Sequence, residues 1–146
     1  MKFNYQKSDF FHKAHVPVRF RDLDPLNHVN NAVYSSYFEE ARIQFIRTIP
    51  EFRNSMENGH SFILVHLDLN YIKPVLYGEQ IIIGSSIKSL GNTSVTGIQA
   101  IFNKVNGELK AVAETTGVWF NLENNRPAKL PELPNSKDYL HAENNG

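Results

Sequence analysis

The chain has 146 residues, the length of one domain, and a domain of that size buries roughly two-thirds of its unfolded surface. Its 15 basic and 15 acidic side chains cancel, so no bulk charge draws it to nucleic acid or to an anionic membrane. It has no cysteine, which excludes disulfides, thiolate metal sites and a cysteine nucleophile, and fits a reducing cytosol.

The opening residues, MKFNYQKSDFFHKAHV, hold no apolar run of signal-peptide length, and nowhere do about 18 apolar residues follow one another. The expectation is a soluble, cytoplasmic protein with no membrane span. From His15 to Arg21 the residues alternate, Val16, Val18 and Phe20 against His15, Arg19 and Arg21, with Pro17 as the interruption. This predicts a half-buried strand at a sheet edge. Asp24-Pro25 ends it, and a polar turn over 26–30 leads into a helix predicted from Asn31 to about Ile49. Tyr34, Phe38, Ala41 and Phe45 recur there at spacings of three and four, with Val33 and Tyr37 widening the apolar stripe. Asn30 or Asn31 supplies the N-cap and Pro50 closes the helix.

After a short helical piece at 51–58 and a turn at Gly59, the rest reads as strands. These run from Ser61 to Tyr71, stopped by Lys73-Pro74, then Gln80 to Leu90, Ser94 to Val105, and Leu109 to Asn121. Asn106-Gly107 predicts a type I′ hairpin, whose two central residues both need positive φ. Beyond Asn125, three prolines among polar residues predict a loosely held polar tail over about 126–146. The whole predicts one α+β domain over 1–146, an antiparallel sheet of about five strands wrapped round one long central helix.

Asp24, Asn27, His28, Asn30 and Asn31 fall within eight residues where a strand gives way to a helix, and first-turn helix amides point outward unpaired. A carboxylate beside such an end suits thioester cleavage. Sulfur lends the carbonyl little resonance, and a thiol with a pKa of about 8.5 leaves with little proton help. What remains is to activate water, or attack directly, and to hold the oxyanion. The same residues also read as ordinary turn and cap residues, and His28 as a packed or backbone-bonded histidine.

The stretch RFRDLDPLNHVNNAVYSSYFEEAR, beginning at Arg19, closely resembles the signature of the 4-hydroxybenzoyl-CoA thioesterase family, in its acyl-CoA and acyl-ACP branches. NYIKPVLYGEQIII, from Asn70, is similar to the family's second landmark: an aromatic, a proline and a glycine-acidic pair entering a long strand. The resemblance implies a hotdog fold in which two subunits pair their sheets and build active sites at the interface, as a homodimer or homotetramer. It implies hydrolysis of an acyl-CoA thioester to free acid and CoA, with no cofactor beyond the CoA of the substrate. Asp24 would act as nucleophile or general base, and the amide near Asn31 would polarise the carbonyl. Asn27 and His28 match positions that orient the carboxylate or the water in some branches, while others carry Ala-Gly in place of Leu26-Asn27.

Several features stay open at this level. Asp22 is a rival carboxylate two residues before Asp24, and Glu39 and Glu40 are either helix-borne acids or a solvated face. Tyr34 and Tyr37 line an acyl pocket or belong to the core, and His66 faces a partner's site or is a half-exposed strand residue. Lys73, Lys88, Lys104 and Arg126 are candidate partners for CoA phosphates. The histidines show no zinc-ligand spacing and no metal is expected; no G-x-S-x-G elbow occurs. Competing readings are an acyl carrier protein thioesterase, which would dock a protein carrier, and a non-catalytic acyl-CoA-binding module.

Overall fold

The computed structural model describes residues 3–142. In chain order its elements are β1 (His12–Val16), α1 (Tyr34–Arg47), α2 (Pro50–Glu57), β2 (His60–Tyr71), β3 (Ile81–Leu90), β4 (Ser94–Asn103), β5 (Leu109–Asn121), β6 (Arg126–Pro127) and α3 (Ser136–Tyr139). The sheet runs β1-β3-β4-β5-β2 with every neighbour antiparallel, and short β6 pairs with the end of β5.

α1 lies in the hollow of this sheet, in the manner of a hotdog fold. The predicted stripe is the buried one: Tyr34, Tyr37, Phe38, Ala41 and Phe45 all face inward. The first four meet Ala14 and Val16 of β1, Ile81 and Ile83 of β3, Ile101 of β4, and Ala111 and Ala113 of β5, while Phe45 packs with Phe52, Ile87 and Trp119. The three alanines let the helix come close to the strands, since each removes all but one carbon from the contact surface. A buried glutamine fastens the two layers: Gln99 Nε2 donates to the Phe38 carbonyl at 3.0 Å and to Ser85 Oγ at 2.9 Å.

The first strand lies earlier than the alternation predicts, over His12–Val16 rather than from His15 to Arg21. Pro17 has no amide to continue the ladder. The Asp22 carboxylate then accepts the Arg19 amide at 2.9 Å and folds Phe20–Asp22 into a 3-10 turn, which leaves Phe20 76% exposed. The helix is likewise preceded by a 3-10 turn at Asn31–Val33, with Asn30 as the cap: its side chain accepts the Ala32 amide at 2.9 Å. Pro50 does more than close α1, because it stands at the first position of α2 behind an extended Ile49.

The four later strands lie where their patterns put them, within two residues at each end. The connection at Asn106-Gly107 is different from the expected type I′ turn. Only Gly107 has positive φ, +74°, and the Asn103 side chain accepts the amides of Val105 and Asn106, making a longer loop closed by Gly107 N–H to the Asn103 carbonyl. β2 carries a bulge between Leu64 and His66, which shifts the inward face from Phe62 and Leu64 to Leu69 and Tyr71.

The segment after Asn125 is not loosely held over the described residues. Ala128 N–H donates to the Trp119 carbonyl, Leu130 N–H to Asn92, and His141 N–H to Ile87, while Tyr139 is buried with Phe45, Phe52 and Trp119. A few apolar side chains outweigh the polar composition: Ala128, Leu130 and Leu133 pack against the cluster that Tyr139 forms with Phe45, Ile49, Phe52, Ile87 and Trp119. Residues 143–146 of the expected tail lie outside the described residues.

Candidate active site

The turn between β1 and α1 is a small hairpin. Asp24 N–H donates to the His28 carbonyl at 2.7 Å and Asn27 N–H to the Asp24 carbonyl at 3.0 Å, with Leu23 bridged to Val29. Asn27 sits at φ +62°, the left-handed position that closes a three-residue hairpin loop. This is why glycine and asparagine are the residues suited to it.

Asp24 holds this turn with one oxygen. Its Oδ1 accepts the Leu26 amide at 2.9 Å and the His28 amide at 3.1 Å, while Oδ2 has no hydrogen-bond partner among the described residues. The side chain borders a cleft of about 190 Å3 lined also by His28, Asn31, Tyr34, Tyr71, Lys73 and Pro74. The structure therefore gathers Asp24, His28, Asn31 and Tyr34 of the expected residues. Asn31 begins the first helical turn; the Ala32 and Val33 amides are taken by the Asn30 side chain and carbonyl, and the Asn31 amide has no acceptor among the described residues. A first-turn amide without an acceptor and a carboxylate oxygen without a donor, on two residues that line one cleft, are groups of the kind that hold an oxyanion and act as a base.

Other expected residues stand elsewhere. Asn27 is exposed and its side chain does not border the cleft. His66 is exposed on β2, on the face opposite Leu69 and Tyr71, and borders neither this cleft nor the larger cavity beside α1. Tyr37 is buried with its hydroxyl donated to Asp22 Oδ2 at 2.7 Å, so it supports the junction rather than lining the cleft. Glu40 is exposed, and Glu39 borders the cavity beside α1.

Asp22, the rival carboxylate, is a structural anchor. It is 2% exposed and accepts the Tyr37 hydroxyl, the Arg19 amide and the Arg19 guanidinium, whose Nη2 lies 3.0 Å from Oδ1. Burial pushes its pKa up, but the hydrogen bonds of Tyr37 and Arg19 outweigh that and hold the carboxyl below its ordinary value. Burial, then the same bond to Asp22, raises the Tyr37 pKa.

Two supports of the cleft were not singled out from the sequence. Tyr71 donates its hydroxyl to the Asn31 carbonyl at 2.9 Å. Lys110, 3% exposed, donates to the Pro74 carbonyl at 3.2 Å and to Glu79 at 2.9 Å, fixing the loop that forms one wall. Tyr71 was visible only as the aromatic of the second landmark, and the reach of Lys110 to Pro74 crosses 36 residues of sequence. Of the cations considered for phosphate, Lys73 borders the cleft and pairs with Glu108 at 3.0 Å, and Lys88 pairs with Glu114 at 2.9 Å. No group of three or more potential metal-ligating His, Cys, Asp or Glu occurs among the described residues, and no described helix is long and apolar enough to cross a membrane.

A curled antiparallel sheet round one helix, with a carboxylate-bearing turn at the open end of that helix, is the arrangement of a hotdog-fold thioester hydrolase. The comparison with known proteins agrees: the model of the thioesterase-like superfamily matches residues 18–136, and the chain belongs to that family. It is 28% identical over 118 residues to the long-chain acyl-CoA thioesterase FadM of Escherichia coli K12, covering 81% of this chain and 89% of the relative. It is 27% identical over 133 residues to the chloroplastic acyl-acyl carrier protein thioesterase ATL3 of Arabidopsis thaliana, covering 90% and 68%. A thioesterase of Thermus thermophilus, solved with coenzyme A and zinc, superposes with a TM-score of 0.72 at 39% identity over 86% of this chain and 89% of that one.

Proposed function

We propose that this protein hydrolyses acyl-CoA thioesters to free acid and CoA, with Asp24 as the acting carboxylate and the Asn31 amide as oxyanion donor. The observation that carries the reading is the split use of Asp24, a residue that borders the cleft: Oδ1 is spent on the Leu26 and His28 amides, and Oδ2 has no partner among the described residues. As a general base, Oδ2 takes a proton from water, the hydroxide adds to the thioester carbonyl, and the oxyanion is held by the Asn31 N–H. The intermediate collapses by breaking the C–S bond, and CoA leaves as thiolate to be protonated by solvent or by Asp24. As a nucleophile, the same oxygen adds to the carbonyl and expels CoA as thiolate, leaving an acyl anhydride that water then opens to the free acid and the Asp24 carboxylate. His28, at the rim, orients the water. Water is the second substrate and no cofactor takes part.

The second proposal concerns assembly. β2 is a sheet edge, and Ile63, Leu64, Val65 and Leu67 along it are 40–59% exposed. An apolar edge of this kind calls for a partner, and a second copy pairing there forms a homodimer. Light scattering of the purified protein is expected to give at least a dimer; a monomer at working concentration overturns this part.

The experiment for the activity is thiol release from a panel of acyl-CoA esters, run beside the same acyl group on acyl carrier protein because ATL3 is a carrier-protein thioesterase. Turnover of CoA esters that falls by about a hundredfold or more in Asp24→Asn supports the mechanism. Equal activity of the variant sinks it, and preference for the carrier ester reassigns the substrate.

A further inference from the structure

A second cavity, of about 310 Å3, lies between α1, α2 and the sheet and shares no lining residue with the Asp24 cleft. Its walls include Ile43 and Ile46 of α1, Phe52 and Met56 of α2, Phe62 of β2 and Val95 of β4. Gly97, on β4, keeps it open: a Cβ there would meet only Thr115 Oγ1 at 3.5 Å and the Ser86 carbonyl at 3.6 Å.

Into this apolar space comes the guanidinium of Arg42. Its single hydrogen bond among the described residues is a long one, Nη1 to Gln99 Oε1 at 3.4 Å, and it makes no ion pair with a described carboxylate. Gln99 is 2% exposed and its amide nitrogen is committed to Phe38 and Ser85, so it has no freedom to serve Arg42 better. Glu39 and Arg47 border the same cavity, which leaves the lining with two guanidinium groups against one carboxylate. Burial lowers the Arg42 pKa from its ordinary value by more than the charge of Glu39 raises it, although arginine stays charged.

We infer that this cavity binds an aliphatic carboxylate, with its chain among α1, α2 and the sheet and its carboxylate on Arg42. The planar fork of a guanidinium matches two carboxylate oxygens, and the donors of Arg42 that Gln99 does not use are there to make that pair. The space is large and apolar enough for an aliphatic chain, and a ten-carbon acid serves as the probe. Two sources share this chemistry. One is a free fatty acid, such as a thioesterase releases; the other is an acyl group whose far end bears a second carboxylate, and that source rests on the acyl-CoA reading above.

Calorimetric titration of the whole protein with decanoate and with its neutral counterpart decanamide tests the site. Wild type is expected to bind decanoate at least tenfold more tightly. Arg42→Met should bring the two ligands to parity, Gly97→Val should weaken both, and Asp24→Asn should leave decanoate affinity within about twofold. Parity of the two ligands in wild type, absence of binding, or a preference that survives Arg42→Met overturns the inference. The wild-type ratio decides alone should Arg42→Met not fold. For the source, kcat/KM is compared for decanoyl-CoA and 9-carboxynonanoyl-CoA. An Arg42-dependent preference for the latter assigns the acyl group, and equal rates with inhibition by decanoate assign the free acid. Decanoate binding without any thioester turnover leaves this site standing and removes the acyl-CoA reading instead.

Discussion

The Tyr71 hydroxyl donates to the main-chain carbonyl of Asn31 at 2.9 Å, and its ring stands edge-on to that of Tyr34 with centroids 5.1 Å apart. Strand β2 is thereby tied to the first turn of the central helix, at the residue whose amide is free. Tyr71→Phe keeps the ring and removes the tie. A hydrogen bond nets about 0.5–1.5 kcal/mol, so under the proposed mechanism, in which the Asn31 amide holds the oxyanion, kcat is expected to fall about two- to tenfold with KM little changed. Steady-state kinetics on an acyl-CoA that the wild type turns over makes the check. A fall in KM-linked binding alone would place Tyr71 in the substrate wall instead.

Asp22 and Tyr37 set a pH window for stability. The Asp22 carboxyl titrates below its ordinary value in the fold, so its contribution is full above about pH 4 and is lost as pH falls through the depressed folded value. The Tyr37 hydroxyl titrates above its ordinary value, so its contribution is full below about pH 10 and is lost as pH rises toward the folded value. Asp22→Asn removes a buried charge-assisted acceptor and should cost about 2–3 kcal/mol at pH 7. Urea unfolding at pH 7 and at pH 3 is the measurement, and the gap between wild type and variant is expected to narrow at the lower pH.

Asn27 is placed by its backbone, at φ +62°, with its side chain away from the cleft. Asn27→Gly is therefore expected to leave turnover and stability close to wild type, while Asn27→Ala loses about 1 kcal/mol because alanine keeps the Cβ strain of the left-handed region without the short polar side chain that offsets it in asparagine. A large loss of kcat in the glycine variant, with its melting temperature intact, would show that the Asn27 side chain takes part in the chemistry.

These residues mark how far the sequence could be read. The central helix and β2 to β5 were legible because each buries a stripe with one clear period, as Tyr34, Phe38, Ala41 and Phe45 show. β1 was displaced because its alternation runs on through Val18 and Phe20, whereas the ladder ends before Pro17 and the capture of Arg19 by Asp22 then turns the chain. Asp24 and the helix start were legible as a local cluster. Tyr37, Tyr71 and Arg42 were not, since their partners Asp22, Asn31 and Gln99 lie 15, 40 and 57 residues away and the choice among them is made by packing. Val65, the extra residue of the β2 bulge, reverses the faces that simple alternation gives to His66 and Tyr71.

Gly84 shows the same dependence on a distant residue and can be tested without any substrate. It lies in β3 where the ring of Phe10 packs against the strand, and a Cβ there would stand 2.5 Å from Phe10 Cγ. Phe10 is 2% exposed and rests on Phe102 on the outer face of the sheet, so its ring has little room to withdraw. Gly84→Ala is expected to destabilise the protein by about 1–3 kcal/mol through overpacking. Phe10→Ala destabilises by loss of buried surface, about 3–5 kcal/mol. The two changes relieve one another, so the double variant should be more stable than the sum of the single losses by at least about 1 kcal/mol. Denaturant titrations of the four proteins measure that coupling, and strict additivity would mean that the ring of Phe10 does not stand over Gly84 in solution.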